Sequence, residues 1–445
     1  MSYGPALGLR RRNAPSIVFG APEGAGARCG ELMSQVFDVV IVGAGAAGIA
    51  AGRRLMRAGA SVMMLEARDR IGGRAHTVMA TAPIDLGCGW LHSGDRNVWT
   101  AIAEGMNWEI DRSPAPWQRQ SGDQGISDAD QAAFRKAFMA FEQRIEEEAE
   151  KGEALAASYF LEPGNPANVL INAVFAYISG ASLDQIDARD YARYDDDGIN
   201  WRVRDGYGAM ISAYGADVPV MLETIARAVD FSGASVKLDT TRGALEARAV
   251  IIAVPTSRVG DIAFRPALPE KAAAAEALPL GHAEKFYFAL KDAEEFPVDG
   301  HLFAGARRAE MGTYHLRPMG RPLIEGFFGG DLSKGLAEAG PEAMTAYAKE
   351  ELANVLGSSF PARLTTLAAS SWSTDQHAMG GYSYAKPGFA DQRAVLAAPV
   401  DNRVFFAGEA CSRHRYSTAH GAYETGFDAA EQALAALGYG SMPTG

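Results

Sequence analysis

Phe37-Asp38-Val39-Val40-Ile41-Val42-Gly43-Ala44-Gly45-Ala46-Ala47-Gly48 is the stretch that decides the fold. Its first half is a short apolar run ending in glycine, the pattern of a strand buried on both faces in a parallel sheet. Residues 46–58 carry small side chains and predict a helix, and Ser61–Glu66 predicts a second strand. Strand, helix and strand within about 30 residues form one parallel unit. Gly43, Gly45 and Gly48 make G-x-G-x-x-G at its first turn. Gly43 permits the turn, Gly45 lets the backbone approach a pyrophosphate, and Gly48 lets helix and strand pack closely. The helix start then offers N–H donors and a positive dipole to phosphate. Glu66 closes the second strand 18 residues after Gly48, where an acid holds a ribose 2′-hydroxyl.

Outward from this unit, further strands are predicted at 235–238, 249–255 and 403–408, with a half-buried one at 285–290. Helices are predicted over 128–160, 207–227, 341–356 and 421–437. In the first of these, Phe134, Phe138, Phe141 and Ile145 share a stripe that reads as core. The nucleotide-type strands lie far apart in sequence. The expected fold class is therefore α/β with α+β inserts. One domain is assembled from 36–100, 205–280 and 396–440, and a second from 101–204 and 281–395. Residues 1–35 read as a disordered leader, or as the product of a misplaced start upstream of Met33.

Composition narrows the function classes. Of 445 residues, 48% are hydrophobic and 22% charged, which excludes a mainly disordered chain. The net charge of −12 argues against sequence-independent nucleic-acid binding. Cys29, Cys88 and Cys411 form no motif, which suits a reducing, cytoplasmic setting. No apolar run is long enough to span a membrane. Arg10-Arg11-Arg12 is followed only by Ile17-Val18-Phe19, too short for a signal segment. The histidines show no ligand spacing, so no metal is expected. Gly381-Tyr382-Ser383-Tyr384-Ala385 lacks the last glycine of a nucleophile elbow.

Four separated segments carry a resemblance. Glu66-Ala67-Arg68-Asp69-Arg70-Ile71-Gly72-Gly73-Arg74 resembles the E-x-R-x-R-x-G-G-R stretch of the flavin amine oxidase superfamily, which includes monoamine, polyamine and L-amino-acid oxidases. Gly206-Tyr207-Gly208, the Lys285 strand, and Phe406-Ala407-Gly408-Glu409 with His420-Gly421-Ala422 and Gly426 are similar too. The resemblance implies an FAD-binding Rossmann-like domain of the glutathione-reductase/p-hydroxybenzoate-hydroxylase type. Beside it stands a substrate-binding domain with a mixed sheet and helices. It implies FAD contacts from Gly43, Gly45, Gly48, Glu66, Arg68, Gly73, Arg74, Gly408, Glu409 and Ala419. Arg74 would meet the pyrophosphate as a planar fork, and Glu409 would bind the ribitol or cap a helix. Gly381 stands where monoamine oxidases carry a flavin-linked cysteine, so the FAD is expected to be non-covalent.

On the catalytic face, the family lysine holds a water against flavin N5. Lys285 matches it; read alone, Lys285 is a strand lysine with its head in solvent. Trp372-Ser373-Thr374-Asp375 and Gly380-Gly381-Tyr382 resemble the substrate-cage segment. Thr418 replaces a second cage tyrosine, as in the polyamine oxidase branch, and His92 in Trp90-Leu91-His92 resembles that branch as well. Tyr382 alone reads as core and His92 as a structural histidine. Asp195-Asp196-Asp197 reads as a lure for a polycation or as a solvated loop. The implied reaction oxidises a primary or secondary, polyamine-like amine to an imine. Water hydrolyses the imine, and O2 becomes H2O2. Alternatives are oxidation of an alkaloid-like or cyclic amine, a flavin desaturase, and a non-catalytic flavin-binding protein.

Overall fold

The computed structural model describes residues 35–118, 126–305 and 310–440, so the leader expected over 1–35 lies, except for Gln35, outside the described residues. Strand β1 (Val36–Val42) runs parallel to β2 (Val62–Leu65) on one side and to β3 (Gly243–Ile252) on the other, within an eight-stranded sheet. The register sets Val42 beside both Leu65 and Ile252. Successive side chains of β1 point to opposite faces. Val39 and Ile41 pack with Ile49 and Leu55 of helix α1 (Ala46–Arg57), while Phe37 and Val40 pack with Leu238 and Phe406. Both faces are covered, which is why the strand is apolar at consecutive positions.

β3 joins distant parts of the chain. Its first half pairs antiparallel with Val236–Thr240, and its end pairs parallel with Val404–Phe406. The C-terminal helix Ala419–Leu437 lies along α1. A Cβ on Gly426 would come within 2.1 Å of the Ala47 carbonyl, and one on Gly48 within 1.9 Å of the Gly43 carbonyl. Only glycines let helix, helix and strand approach this closely.

A second sheet has five antiparallel strands. It is built from β4 (Ala283–Leu290), β5 (Thr313–Leu316) and β6 (Leu323–Gly329). Its order is Gly300–Phe303, β5, β6, β4, Leu364–Ala369. Phe286 and Phe288 pack against Met344 and Ala348 of the helix Pro341–Leu356, and Tyr287 packs against Ile84 and Leu323.

Three local expectations change. The helix expected over 207–227 ends at Gly215, and Val220–Met221 instead pairs with β2. Pro219 explains this, because the residue before proline is driven out of the helical region. The helix expected over 128–160 is α2 (Asp128–Glu148), started by Ser127, whose side chain accepts from the Asp130 N–H. Its Phe141 and Ile145 are core, but Phe134 and Phe138 are only partly buried and face a large cavity. β4 is buried on both faces rather than half-buried, because one side meets helices and the other meets the segment around Ile84 and Asp85.

Candidate active site

One cavity of about 1340 Å³ runs between the two sheets. Pockets for drug-sized ligands hold ~300–1,000 Å³, so this one has room for a dinucleotide and a substrate together. Every expected site residue except Gly48 lines it; Gly48 lies behind, at the helix–strand contact.

At the cofactor end, α1 begins after Gly45, and no side chain closes its N-terminus. Gly43 has φ +104°, and a Cβ there would sit 2.5 Å from the Ala253 carbonyl. Glu66 is buried and accepts from the N–H groups of Ala44 and Arg68, both at 2.9 Å. Its carboxylate keeps lone pairs for a hydroxyl. Gly408 has φ +135°, and nothing stands within 4 Å of where its Cβ would be. The helix Ala419–Leu437 presents a second N-terminus to the cavity at Ala419. Uncapped helix start, buried acid and open glycine together fit a flavin adenine dinucleotide.

The charged residues are more committed than their motifs suggest. Arg68 grips both oxygens of Asp375, at 2.7 and 2.6 Å, and so ties the Glu66 turn to the Trp372 segment. Arg74 donates to the Gly381 carbonyl at 2.6 Å and to Glu409 at 2.9 Å. Glu409 also accepts from the Ser383 hydroxyl at 2.6 Å and the Ser417 N–H at 2.9 Å. Burial alone would raise its pKa, but Arg74, Ser383 and Arg393 outweigh burial and hold it low. Its carboxylate thus organises the cradle through protein contacts.

At the substrate end, the alternation of β4 separates two neighbours. Glu284 is fully buried and accepts from the N–H groups of Trp372 at 2.9 Å and Ser373 at 2.7 Å. That fixes the turn carrying Trp372, whose indole N–H donates to the Leu86 carbonyl. Lys285 points the other way, into the cavity wall, with Nζ 3.1 Å from Glu325 Oε1. Gly89 makes room for it, since a Cβ there would lie 2.9 Å from Nζ.

His92 Nδ1 lies 2.6 Å from Asn200 Oδ1, and the Asn200 amide nitrogen donates to the Gly198 carbonyl. The amide orientation makes Nδ1 the protonated nitrogen, so Nε2 keeps its lone pair. Burial lowers the His92 pKa against the pull of Asp196, and the ring is neutral near pH 7. Tyr382 donates to the Tyr177 carbonyl, and burial pushes its phenol pKa up, so it stays a neutral aromatic wall. The Thr418 hydroxyl is spent on capping: it donates to the Arg415 carbonyl at 2.6 Å and accepts from the Gly421 N–H at 3.0 Å. Of the aspartate run, Asp195 and Asp197 pair with Arg96, while Asp196 reaches the cavity wall.

Sequence reasoning missed Asn200, Glu284, His315 and Glu325. A signal existed for Glu325: it is the lone acid in Leu323-Ile324-Glu325-Gly326-Phe327-Phe328, and a buried charge in an apolar strand demands a partner. Among the described residues there is no cluster suited to a metal ion and no helix long and apolar enough to cross a membrane.

The family described as flavin containing amine oxidoreductase matches residues 46–434. Polyamine oxidase 2 of Arabidopsis thaliana is 30% identical, over 88% of this chain and 87% of its own length. Putrescine oxidase bound to putrescine shares the fold, with a TM-score of 0.75 at 18% identity over 90% of this chain and 99% of its own. Cyclohexylamine oxidase from Brevibacterium oxydans does too, with 0.73 at 20% identity over 91% and 100%. With cradle, lysine strand and C-terminal block in one cavity, and this match over most of its length, the chain belongs to the flavin containing amine oxidoreductase family and is an FAD-dependent amine-oxidising enzyme.

Proposed function

We propose that the protein oxidises a polyamine-like primary or secondary amine, with O2 as acceptor. The observation that carries this reading is convergence: His92, Lys285, Trp372 and Tyr382 line the same cavity as the open start of α1. FAD, when bound, accepts the hydride equivalent from the carbon beside nitrogen. The chain's residues prepare that carbon. A cationic amine must first lose a proton, and His92 Nε2 has the lone pair to accept it. Tyr382 and Trp372 orient the amine by their faces and exclude water. Loss of two electrons and two protons makes an imine. Water cleaves it to aldehyde and amine, while O2 gains those electrons and protons as H2O2. Asp196, Glu142 and Glu146 on the cavity wall suit the remaining charges of a polyamine, and these acids argue against a desaturase.

FAD is held without a covalent bond in this reading. Gly381 offers no thiol, and burial pushes the Cys88 thiol in the cavity up to about 12, so it remains unreactive. The cofactor part comprises 36–100, 205–280 and 396–440, which supply the strands of the larger sheet; 101–204 and 281–395 form the substrate part. The free cysteines Cys88 and Cys411 suit the cytoplasm.

A second reading is an amine with a bulky apolar body. It is favoured by the aromatic walls from Trp90, Trp117, Phe134, Phe138, Tyr177 and Phe327. Anaerobic titration with spermidine, followed by flavin absorption, tests the first reading and should bleach the flavin band. Bleaching by a phenylalkylamine alone would move the assignment to the second reading. Bleaching by neither would overturn both readings of the substrate and leave another class of amine.

A further inference from the structure

Across the cavity side of the second sheet, the strand register aligns one row of ionisable side chains. His315 of β5 pairs with Glu325 of β6, and Glu325 pairs with Tyr287 of β4. Lys285 pairs with Phe327, two residues from Glu325 on the same face, so the lysine and the acid are diagonal neighbours. Glu325 Oε1 takes the Tyr287 hydroxyl at 2.9 Å and faces Lys285 Nζ at 3.1 Å. Its Oε2 lies 3.7 Å from His315 Nδ1. The other imidazole nitrogen meets Asp299 at 3.0 Å, and Arg202 bridges Asp299 and Asp111 at 2.9 and 2.6 Å. Charged and polar groups therefore form one connected row, with Lys285 at its cavity end.

We propose that Glu325 is a positioning residue that keeps Lys285 an ammonium aimed into the cavity, so that this lysine supplies a fixed positive charge rather than a base. The inference rests on the reading of Lys285 as a residue of the reacting end. A lysine only 8% exposed would by burial alone favour the neutral amine. An anion at 3.1 Å reverses that preference. Glu325 is a dependable anion. Burial pushes its pKa up, but Lys285 and His315 outweigh burial and hold it well below the usual carboxylate range. The other groups facing Lys285 do not replace it. The Asp85 carboxylate is turned to the Tyr207 and Gly208 N–H groups at 2.9 and 3.1 Å, the Cys88 thiol stays protonated, and His92 stays neutral. Lys285 Nζ and His315 Nδ1 are also buried without an aligned hydrogen-bond partner, so both keep donor or acceptor capacity toward the cavity.

The test is a carbon-13 NMR titration of the FAD-loaded protein labelled at lysine Cε, with the Lys285 signal identified by its loss in Lys285→Met. In the wild type the signal should be that of an ammonium at about pH 7.5. In Glu325→Gln its midpoint should fall by at least about one pH unit, and Glu325→Asp should restore part of the shift. The alkaline limit of the flavin reoxidation rate should move with the same midpoint. A wild-type Lys285 already neutral near pH 7.5 would overturn the proposal even if the variant fails to fold. So would an unchanged midpoint in Glu325→Gln. No amine is present, so the outcome is separable from the spermidine titration.

Discussion

Two buried ion pairs in this molecule are built on opposite principles. Arg393, with no exposed surface, binds both oxygens of Asp190 at 2.7 Å, the Ser383 hydroxyl at 2.9 Å, and stacks 3.7 Å over Tyr416. Ser383 passes the contact on to Glu409, and Glu409 to Arg74. This cluster is saturated and closed. Lys285–Glu325 is a single contact at 3.1 Å on a cavity wall, with unaligned polar atoms on either side of the acid. A buried charge must be compensated. Where the protein supplies all the compensation, the charge is scaffold; where capacity is left over toward a cavity, it is available to a reaction. Arg393–Asp190 is thus read as the frame of the cofactor cradle, and Lys285–Glu325 as part of the working surface.

The largest expected effect breaks the frame. Arg393→Met leaves Asp190 buried and uncompensated, and should cost roughly 3–5 kcal/mol in urea unfolding of the apoprotein. A loss under about 1 kcal/mol would erase the contrast between the clusters. Lys285→Met should differ in kind: Glu325 keeps the Tyr287 hydroxyl at 2.9 Å and an open cavity side, so the loss in unfolding free energy should be smaller than for Arg393→Met and FAD content near wild type, while amine oxidation or flavin reoxidation falls at least ~100-fold. Unchanged rates for both steps would remove Lys285 from the working surface.

His420, buried in the first turn of the C-terminal helix, sharpens the comparison. Its Nε2 is buried without a partner, and burial, with His92 and Arg415 nearby, pushes its pKa from 6.5 down to about 3. The unfolded chain therefore takes up this proton first as pH falls. Stability should drop between about pH 6.5 and pH 3, by about 1.4 kcal/mol per unit for one such group. Comparing the slope with His420→Gln by thermal melts checks this, since the variant should be flatter. The smallest expected effect is Asn200→Ala. Losing one hydrogen bond worth ~1 kcal/mol should lower kcat/KM about fivefold without loss of FAD. An unchanged kcat/KM would mean that the His92 tautomer is set elsewhere.

Legibility in the sequence followed the range of the cause. The first strand–helix–strand unit was readable because its signals, an apolar run and spaced glycines, act within a dozen residues. The helix over 207–227 is shorter than its pattern suggests because one local signal, Pro219, overrides it. β4 was read as half-buried because alternation cannot show what covers the second face of a strand. In the site, the glycines and Glu66 were readable as backbone requirements, and Lys285 only through its likeness to a family. Thr418 was placed on the cavity wall, but its hydroxyl proved to be a helix cap.

The amino-acid order determined the cofactor class, because a pyrophosphate turn needs glycines at set intervals and an acid at the next strand end. It also determined that the chain has a large core; that Glu284 and Lys285 face opposite ways follows from the strand starting at Ala283 rather than at Lys285. Only the tertiary structure decided what each of them meets. The pairing of β5, β6 and β4 brings His315, Glu325 and Lys285 together from positions up to forty residues apart. Cross-strand register is set by the packing of the whole sheet, which no local pattern carries.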